Sequence, residues 1–273
     1  MILDFHAHCF PDAIACRAIP QLEEKTGLKT ALDGTAASLL ASMDRAGIDR
    51  AVVQQIATRP GQEPSINQWA AAIQSERMVS FGSFHPDSPG WRGELRRLLD
   101  LGLPGVKFHP DYQSFFVDEP RMFPIYEALC AADLIVLFHA GLDLGLGEPI
   151  HCRPAGLRKV IDAFPEGRWV AAHLGGYRCW DEVEEHLLGR PLFLDTSYCF
   201  ADLGPERMAA LIRGHGANRI LFGTDSPWVD QRRAVVEIKS LGLSLAEEAA
   251  VLGGNGAALL GQSVRQDASA RGR

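Results

Sequence analysis

Eight short apolar runs, each followed by an amphipathic stretch, set the tightest limit on how this chain can fold. They occupy 2–8, 51–57, 79–85, 105–109, 134–139, 169–173, 192–196 and 220–225. Each is short, rich in branched residues and bounded by turn formers, which reads as a buried strand. Between the runs, apolar residues recur at helical spacing. Thr35 predicts an N-cap for a helix through Ala46, with Leu39, Leu40 and Met43 on one face. Ser65 predicts a cap for a second through Glu76, and 91–101, 120–132, 153–164, 178–188, 204–214 and 230–241 continue the rhythm. Gly47, Gly102, Gly189, Gly214 and Gly242 stand where helices should stop.

Continuous apolar strands separated by helices imply a parallel sheet covered on both faces. Eight such units in 273 residues fit a (β/α)8 TIM barrel, which typically takes about 250. An open doubly wound sheet would carry a glycine-rich phosphate loop after its first strand. Here His6-Ala-His-Cys-Phe-Pro11 follows instead. The expectation is one barrel over 1–262 with an extra C-terminal helix at 242–261, then a flexible tail over 263–273.

With 47% hydrophobic residues, the chain can bury a large core. A net charge of −7 argues against a nucleic-acid partner, which needs a basic face. No apolar run approaches the roughly 20 residues of a membrane span, so no membrane partner is expected. No basic leader or cleavage site precedes the first strand, which points to the cytoplasm. The six cysteines are scattered without a C-x-x-C pair and read as free thiols.

Six of the nine histidines fall at the C-terminal ends of the expected strands: His6, His8, His85, His109, His139 and His173. In a barrel those ends share one rim, where active sites lie. His6 and His8 are two residues apart, so on a strand they project to the same side and can reach one cation. The eighth strand adds Asp225 to the same rim. A catalytic metal site needs three or four converging nitrogen or oxygen donors and an open position. His6, His8, His139 and Asp225 supply them, leaving His173 to carry protons. As mere buried polarity these five groups would each cost about 1–3 kcal/mol if unsatisfied.

Other candidates have two readings each. Lys107 and His109 share one side of the fourth strand, and His109 either touches substrate or packs. Arg178 either clamps a carboxylate or bridges two loops, and Trp228 either walls the pocket or packs under the last helix. The aromatic loop 111–118 is either a lid or self-burying. His151, Asp143 and Glu148 are pocket candidates, whereas His186 and His215 are expected at the surface.

The pieces Asp4-Phe-His-Ala-His8, Gly105-Val-Lys-Phe-His109, Leu137-Phe-His-Ala-Gly141, Ala172-His-Leu-Gly-Gly176 and Phe222-Gly-Thr-Asp-Ser-Pro227 appear in barrel order. In them the chain resembles the amidohydrolase superfamily, in the branch of aminocarboxymuconate-semialdehyde decarboxylase-like metal-dependent enzymes. That resemblance implies one divalent ion, most often zinc, on His6, His8, His139 and Asp225, with His173 and Asp225 catalytic. Lys107 departs from the single-metal pattern: in two-metal members a carbamylated lysine there bridges the ions, and His139 and His173 hold the second. It could equally meet a substrate carboxylate as a plain ammonium. The branch contains hydrolases, which activate a water, and non-oxidative decarboxylases. Hydrolysis of a small carboxylated molecule is the first expectation, decarboxylation the second, and a metal-binding barrel without turnover the third. Relatives in the branch form dimers or larger assemblies, so a homodimer is the implied assembly.

Overall fold

The computed structural model describes residues 1–261 of the chain; the expectation for 263–273 lies outside the described residues. The eight runs become parallel strands: β1 (Leu3–Ala7), β2 (Arg50–Gln54), β3 (Met78–Phe81), β4 (Gly105–Phe108), β5 (Ile135–Phe138), β6 (Arg168–Ala171), β7 (Phe193–Asp195) and β8 (Ile220–Leu221). They pair in chain order within β1–β3 and within β4–β8. Bridges between Gly82 and Val106 and between Ala7 and Ser226 join the two sheets at both seams, closing the barrel.

Helices α1 (Asp12–Thr26), α2 (Ala36–Ala46), α3 (Glu63–Ala72), α4 (Trp91–Asp100), α5 (Phe123–Ala131), α6 (Pro154–Ala163), α7 (Trp180–His186), α8 (Phe200–His215), α9 (Gln231–Lys239) and α10 (Leu245–Ala249) run between and after the strands. Thr35 caps α2 as expected, its side chain accepting from Ser38 N. Ser65 does not cap α3. It lies in the first turn of the helix, which starts at Glu63, and directly follows Pro64, a position where proline's missing N–H costs nothing. Helix α1 was not foreseen. Pro20 interrupts its pattern and only Ala15 and Ile19 are buried, so its apolar repeat is weak.

The inner cluster of the barrel contains Leu3, Phe5, Val52, Phe81, Ile135, Leu137, Val170 and Leu221. The expected extra helix is present: α10 continues through a π turn at Ala250–Gly254 into a helix ending at 261. Its Leu259 and Leu260 join the inner cluster and seal the end where the strands begin. Burying a leucine there contributes roughly 1.5–3 kcal/mol. The outer cluster lies between strands and helices and includes Val53, Val106, Phe108, Val136, Phe138 and Trp169.

On β1 the side-chain alternation breaks. Leu3 and Phe5 face the inner cluster, whereas Ala7 and Cys9 belong to the outer one. The pairing register with β2 shifts between Asp4 and Ala7, the mark of a β-bulge. One extra residue flips the parity, so His6 and His8 line the pocket that Phe5 would otherwise be followed into by Ala7. Asp4, wholly buried, accepts from His6 N at 3.1 Å inside the bulge.

Candidate metal centre

His6 and His8 arrive on the bulged end of β1, and each has one ring nitrogen already committed. His6 Nδ1 donates to Asp195 Oδ2 at 2.8 Å, and His8 Nδ1 donates to the carbonyl oxygen of Gln54 at 3.0 Å. A carboxylate and a carbonyl accept only, so each Nδ1 carries its ring's proton. In neutral rings both Nε2 atoms are then bare lone pairs. These lone pairs face each other at 3.2 Å, with Asp225 Oδ1 at 3.4 Å from His6 and 3.2 Å from His8. Two lone pairs and a carboxylate oxygen repel unless something positive sits by them, a metal ion, an added proton or a neighbouring ammonium. The donor set and spacing fit a divalent ion.

The carboxylates are positioned by the barrel seam. Asp225 N donates to the His6 carbonyl at 2.7 Å, and His8 N donates to Ser226 O at 2.6 Å, clipping the loop after β8 onto β1. Asp225 holds φ +62°, a left-handed conformation that non-glycine residues adopt at a cost. Asp4 fastens the same seam from below, accepting from Thr224 N, Thr224 Oγ1 and Gln231 Nε2. Burial pushes the Asp4 carboxyl up to about 6 despite these bonds.

Asp195, at the end of β7, was not singled out from sequence. Its Oδ2 takes the His6 proton donor, and its Oδ1 accepts from His173 N at 3.1 Å and Ser197 N at 3.0 Å. Burial opposes its ionisation, but the charge and hydrogen bond of His6 outweigh it and hold the carboxyl well below the usual range. The available signal was an acidic residue closing an apolar strand, as the histidines do.

His139 and His173 form a second nitrogen pair, Nδ1 to Nε2 at 3.1 Å with rings 67° apart. His173 Nδ1 donates to Ser197 O at 3.0 Å, so in the neutral ring its Nε2 accepts from His139 Nδ1. His139 Nε2 is buried with no partner. The structure thus brings His6, His8 and Asp225 into one cluster, with His139 beside His173 rather than among them. Lys107, wholly buried on β4, places Nζ 3.4 Å from His6 Nε2. Burial lowers its ammonium to about 8, against the pull of Asp195 and Asp225. Burial and then the Lys107 charge lower His6 to about 4, which keeps that imidazole neutral at ordinary pH.

His109, His139 and Asp143 also lie close together, with His109 Nε2 3.3 Å from Asp143 Oδ2. The His109 and His139 rings are stacked at 4.1 Å and only 7° from parallel. A metal must lie in the plane of each ligating ring, and two stacked planes share no such point. This trio therefore serves the cavity wall, not a second ion.

Trp228 lines the cavity. Arg178 does not: it pairs with Asp202 at 3.1 Å over the Tyr177 ring, half exposed and outside the cavity lining, so the loop-bridge reading applies. In the loop 111–118, Phe115 and Val117 are buried, Phe115 against Phe108, and Tyr112 lines the cavity. His151 pairs with Asp111 at 3.0 Å, away from the cavity. His215 is not at the surface; it is buried and its Nε2 donates to Leu192 O at 2.9 Å. All six cysteines are free, with Cys16 exposed.

A closed (β/α)8 barrel with a histidine–aspartate cluster on its C-terminal rim is a frame shared by many metal-dependent enzymes. The family model described as Amidohydrolase matches residues 3–262, and the chain belongs to that family. Among curated proteins none matches. Similar solved structures include an uncharacterized TIM-barrel protein from Bordetella bronchiseptica, 19% identical, with TM-score 0.75, covering 96% of this chain and 99% of that one. Dihydroxybenzoic acid decarboxylase from Polaromonas sp. JS666, solved with manganese and 2-nitroresorcinol, is 17% identical, with TM-score 0.71 and coverage of 95% and 96%. 5-Carboxyvanillate decarboxylase from Sphingomonas paucimobilis is 17% identical, with TM-score 0.68 and coverage of 95% and 98%. At such identities the likeness is one of fold.

Proposed function

We propose that this chain is a metal-dependent enzyme that decarboxylates a small carboxylic acid without redox chemistry. The observation carrying the reading is the convergence of the His6 and His8 lone pairs on the Asp225 carboxylate, with both Nδ1 protons pinned elsewhere. The decarboxylases among solved structures of this fold support the choice of reaction, by analogy of fold alone. His6, His8 and Asp225 would hold the ion, with His139 the proposed fourth ligand. A divalent ion there supplies Lewis acidity; zinc and manganese both suit such ligands.

The chain's own groups divide the remaining work. Lys107 offers a positive charge to a substrate carboxylate beside the cluster. As the carbon–carbon bond to that carboxylate breaks, its electron pair stays on the substrate carbon, which then takes a proton. His173, which lines the pocket with its ring held by the Nδ1 bond to Ser197, is the proposed carrier of that proton. Asp195 orients both His6 and His173, and so couples the two.

A second reading is hydrolysis with two ions. Lys107 Nζ lies next to His6 Nε2, and His139 and His173 converge on their own, which suits a carbamylated Lys107 between ions. Elemental analysis of purified protein, with carbon dioxide release assayed on 2,6-dihydroxybenzoate and 5-carboxyvanillate, tests the choice. One ion per chain with carbon dioxide release supports decarboxylation. Two ions and turnover of an ester or lactone support hydrolysis, and metal without any turnover leaves a structural-metal barrel.

A further inference from the structure

The cavity above the cluster opens between α1, α3 and the loops after β4 and β5, with a volume of about 530 Å3. A dry cavity of about 150 Å3 already accepts benzene, so this one holds well over a single-ring acid. Its outer wall is apolar: Ile14, Leu22 and Leu28 from α1 and the turn beyond it, Ile66 and Trp69 from α3, and Leu144. Ile14 is 46% exposed on that wall. The polar groups nearby are engaged with one another. Thr58 Oγ1 donates to Gln62 Oε1 at 3.1 Å, and Ser65 Oγ donates to Gln62 O at 3.0 Å.

Cationic groups are scarce. Among the described residues lining the cavity, Lys107 is the one lysine or arginine, and Asp143 and Asp225 stand nearby. Away from Lys107 and the His6, His8 and Asp225 cluster, an anionic group on a ligand would find no lysine or arginine in the lining. One donor, however, is vacant: Gln55 lines the cavity, is 7% exposed, and its Nε2 has no acceptor. A buried amide N–H left unpaired is costly, and an oxygen on a bound molecule would satisfy it.

We infer that the substrate is a monoanion with an apolar body larger than one ring, its oxygen-bearing head taking the Gln55 Nε2 hydrogen and its body lying along Ile14, Ile66 and Trp69. The inference rests on the rim being the active site and adds which wall meets which end of the substrate. Transfer of each methylene out of water then tightens binding about fourfold.

The test is calorimetric titration of the full, metal-loaded chain with benzoate and its 4-methyl, 4-propyl, 4-butyl and 4-hexyl derivatives. The expected result is affinity rising about fourfold per methylene at least to butyl. Gln55→Leu should weaken every member by about tenfold without changing that slope. Ile14→Asn, at an exposed position, should flatten the slope for the longer members alone. Affinity that is flat or falls with chain length, absence of binding by every member, or a Gln55→Leu variant equal to wild type overturns the inference. Repeating the series after chelation separates it from the metal reading. A retained slope with head-group affinity unaffected by chelation sinks the metal alone; a flat slope with chelator-sensitive benzoate binding sinks the apolar body alone.

Discussion

The two ends of this barrel solve opposite problems with the same eight strands. Where the strands begin, Leu3, Phe5, Leu259 and Leu260 close the interior with apolar side chains, and Asn255 Nδ2 ties the closing helix to Ala217 O and Ile220 O at 2.7 Å each. Where they end, the interior is filled by imidazoles, a lysine and carboxylates that face one another at 3.1–3.4 Å. The first end is stable without any addition. The second carries left-handed backbone at His173, Leu174, Tyr198 and Asp225, which the rest of the fold must sustain. Stability and chemistry are thus assigned to different ends, and perturbing each should move a different observable.

The largest effect expected is at the polar end. His6→Ala should leave a folded barrel, by circular dichroism and thermal melting, that retains no metal and no turnover. Full activity with metal retained would overturn the assignment. At the other end, Leu259→Ala should cost about 2–5 kcal/mol in denaturant unfolding while leaving the metal-to-protein ratio unchanged. If it lowered that ratio in the folded protein, the ends would not be separable. Asp195→Asn sharpens the comparison because it touches no proposed ligating atom. It should reduce metal affinity by about 10–100-fold in a competition titration, through lost orientation of His6.

The smallest effect concerns His215, at the end of α8 and remote from the rim. Burial lowers its pKa below the ordinary 6.5, outweighing the Leu192 hydrogen bond, and its Nδ1 is buried without a partner. The unfolded chain therefore binds this proton more readily than the folded one. Its contribution to stability is complete above about pH 6.5 and lost as the pH falls below it. In metal-free protein, wild type should lose stability on acidification more steeply than His215→Gln, by at most about 1.4 kcal/mol per pH unit. Parallel curves would show that His215 titrates alike in both states.

The barrel and its eight strands were legible because buried parallel strands read as continuous apolar runs, and the histidines marked their ends. Other features left weaker traces. Helix α1 buries so few residues that its spacing carries little signal. Its role as a cavity wall depends on tertiary placement. The β1 bulge is invisible in a string of residues, since Asp4-Phe-His-Ala-His8 alternates the same way with or without it. Asp195 sat in plain view at a strand end, but its partners, His6 and His173, are distant in sequence. Arg178 and His215 show the converse: a rim arginine found an acid in the first turn of α8, and a helical histidine turned inward to a carbonyl.

The Asp4 carboxylate links residues 220 apart in the chain, gripping Thr224 on the last strand's loop and Gln231 beyond it while also accepting from His6 N within β1. Few contacts in a protein of this length close so large a loop, and such closures form late because the entropy must be overcome before any reward. His6 and Asp225 reach each other only after that closure. The cluster can therefore assemble only on a finished barrel, so a partly synthesised or partly folded chain presents His6 and His8 without their carboxylate. An ion held by His6, His8 and Asp225 would then distinguish complete barrels from incomplete chains.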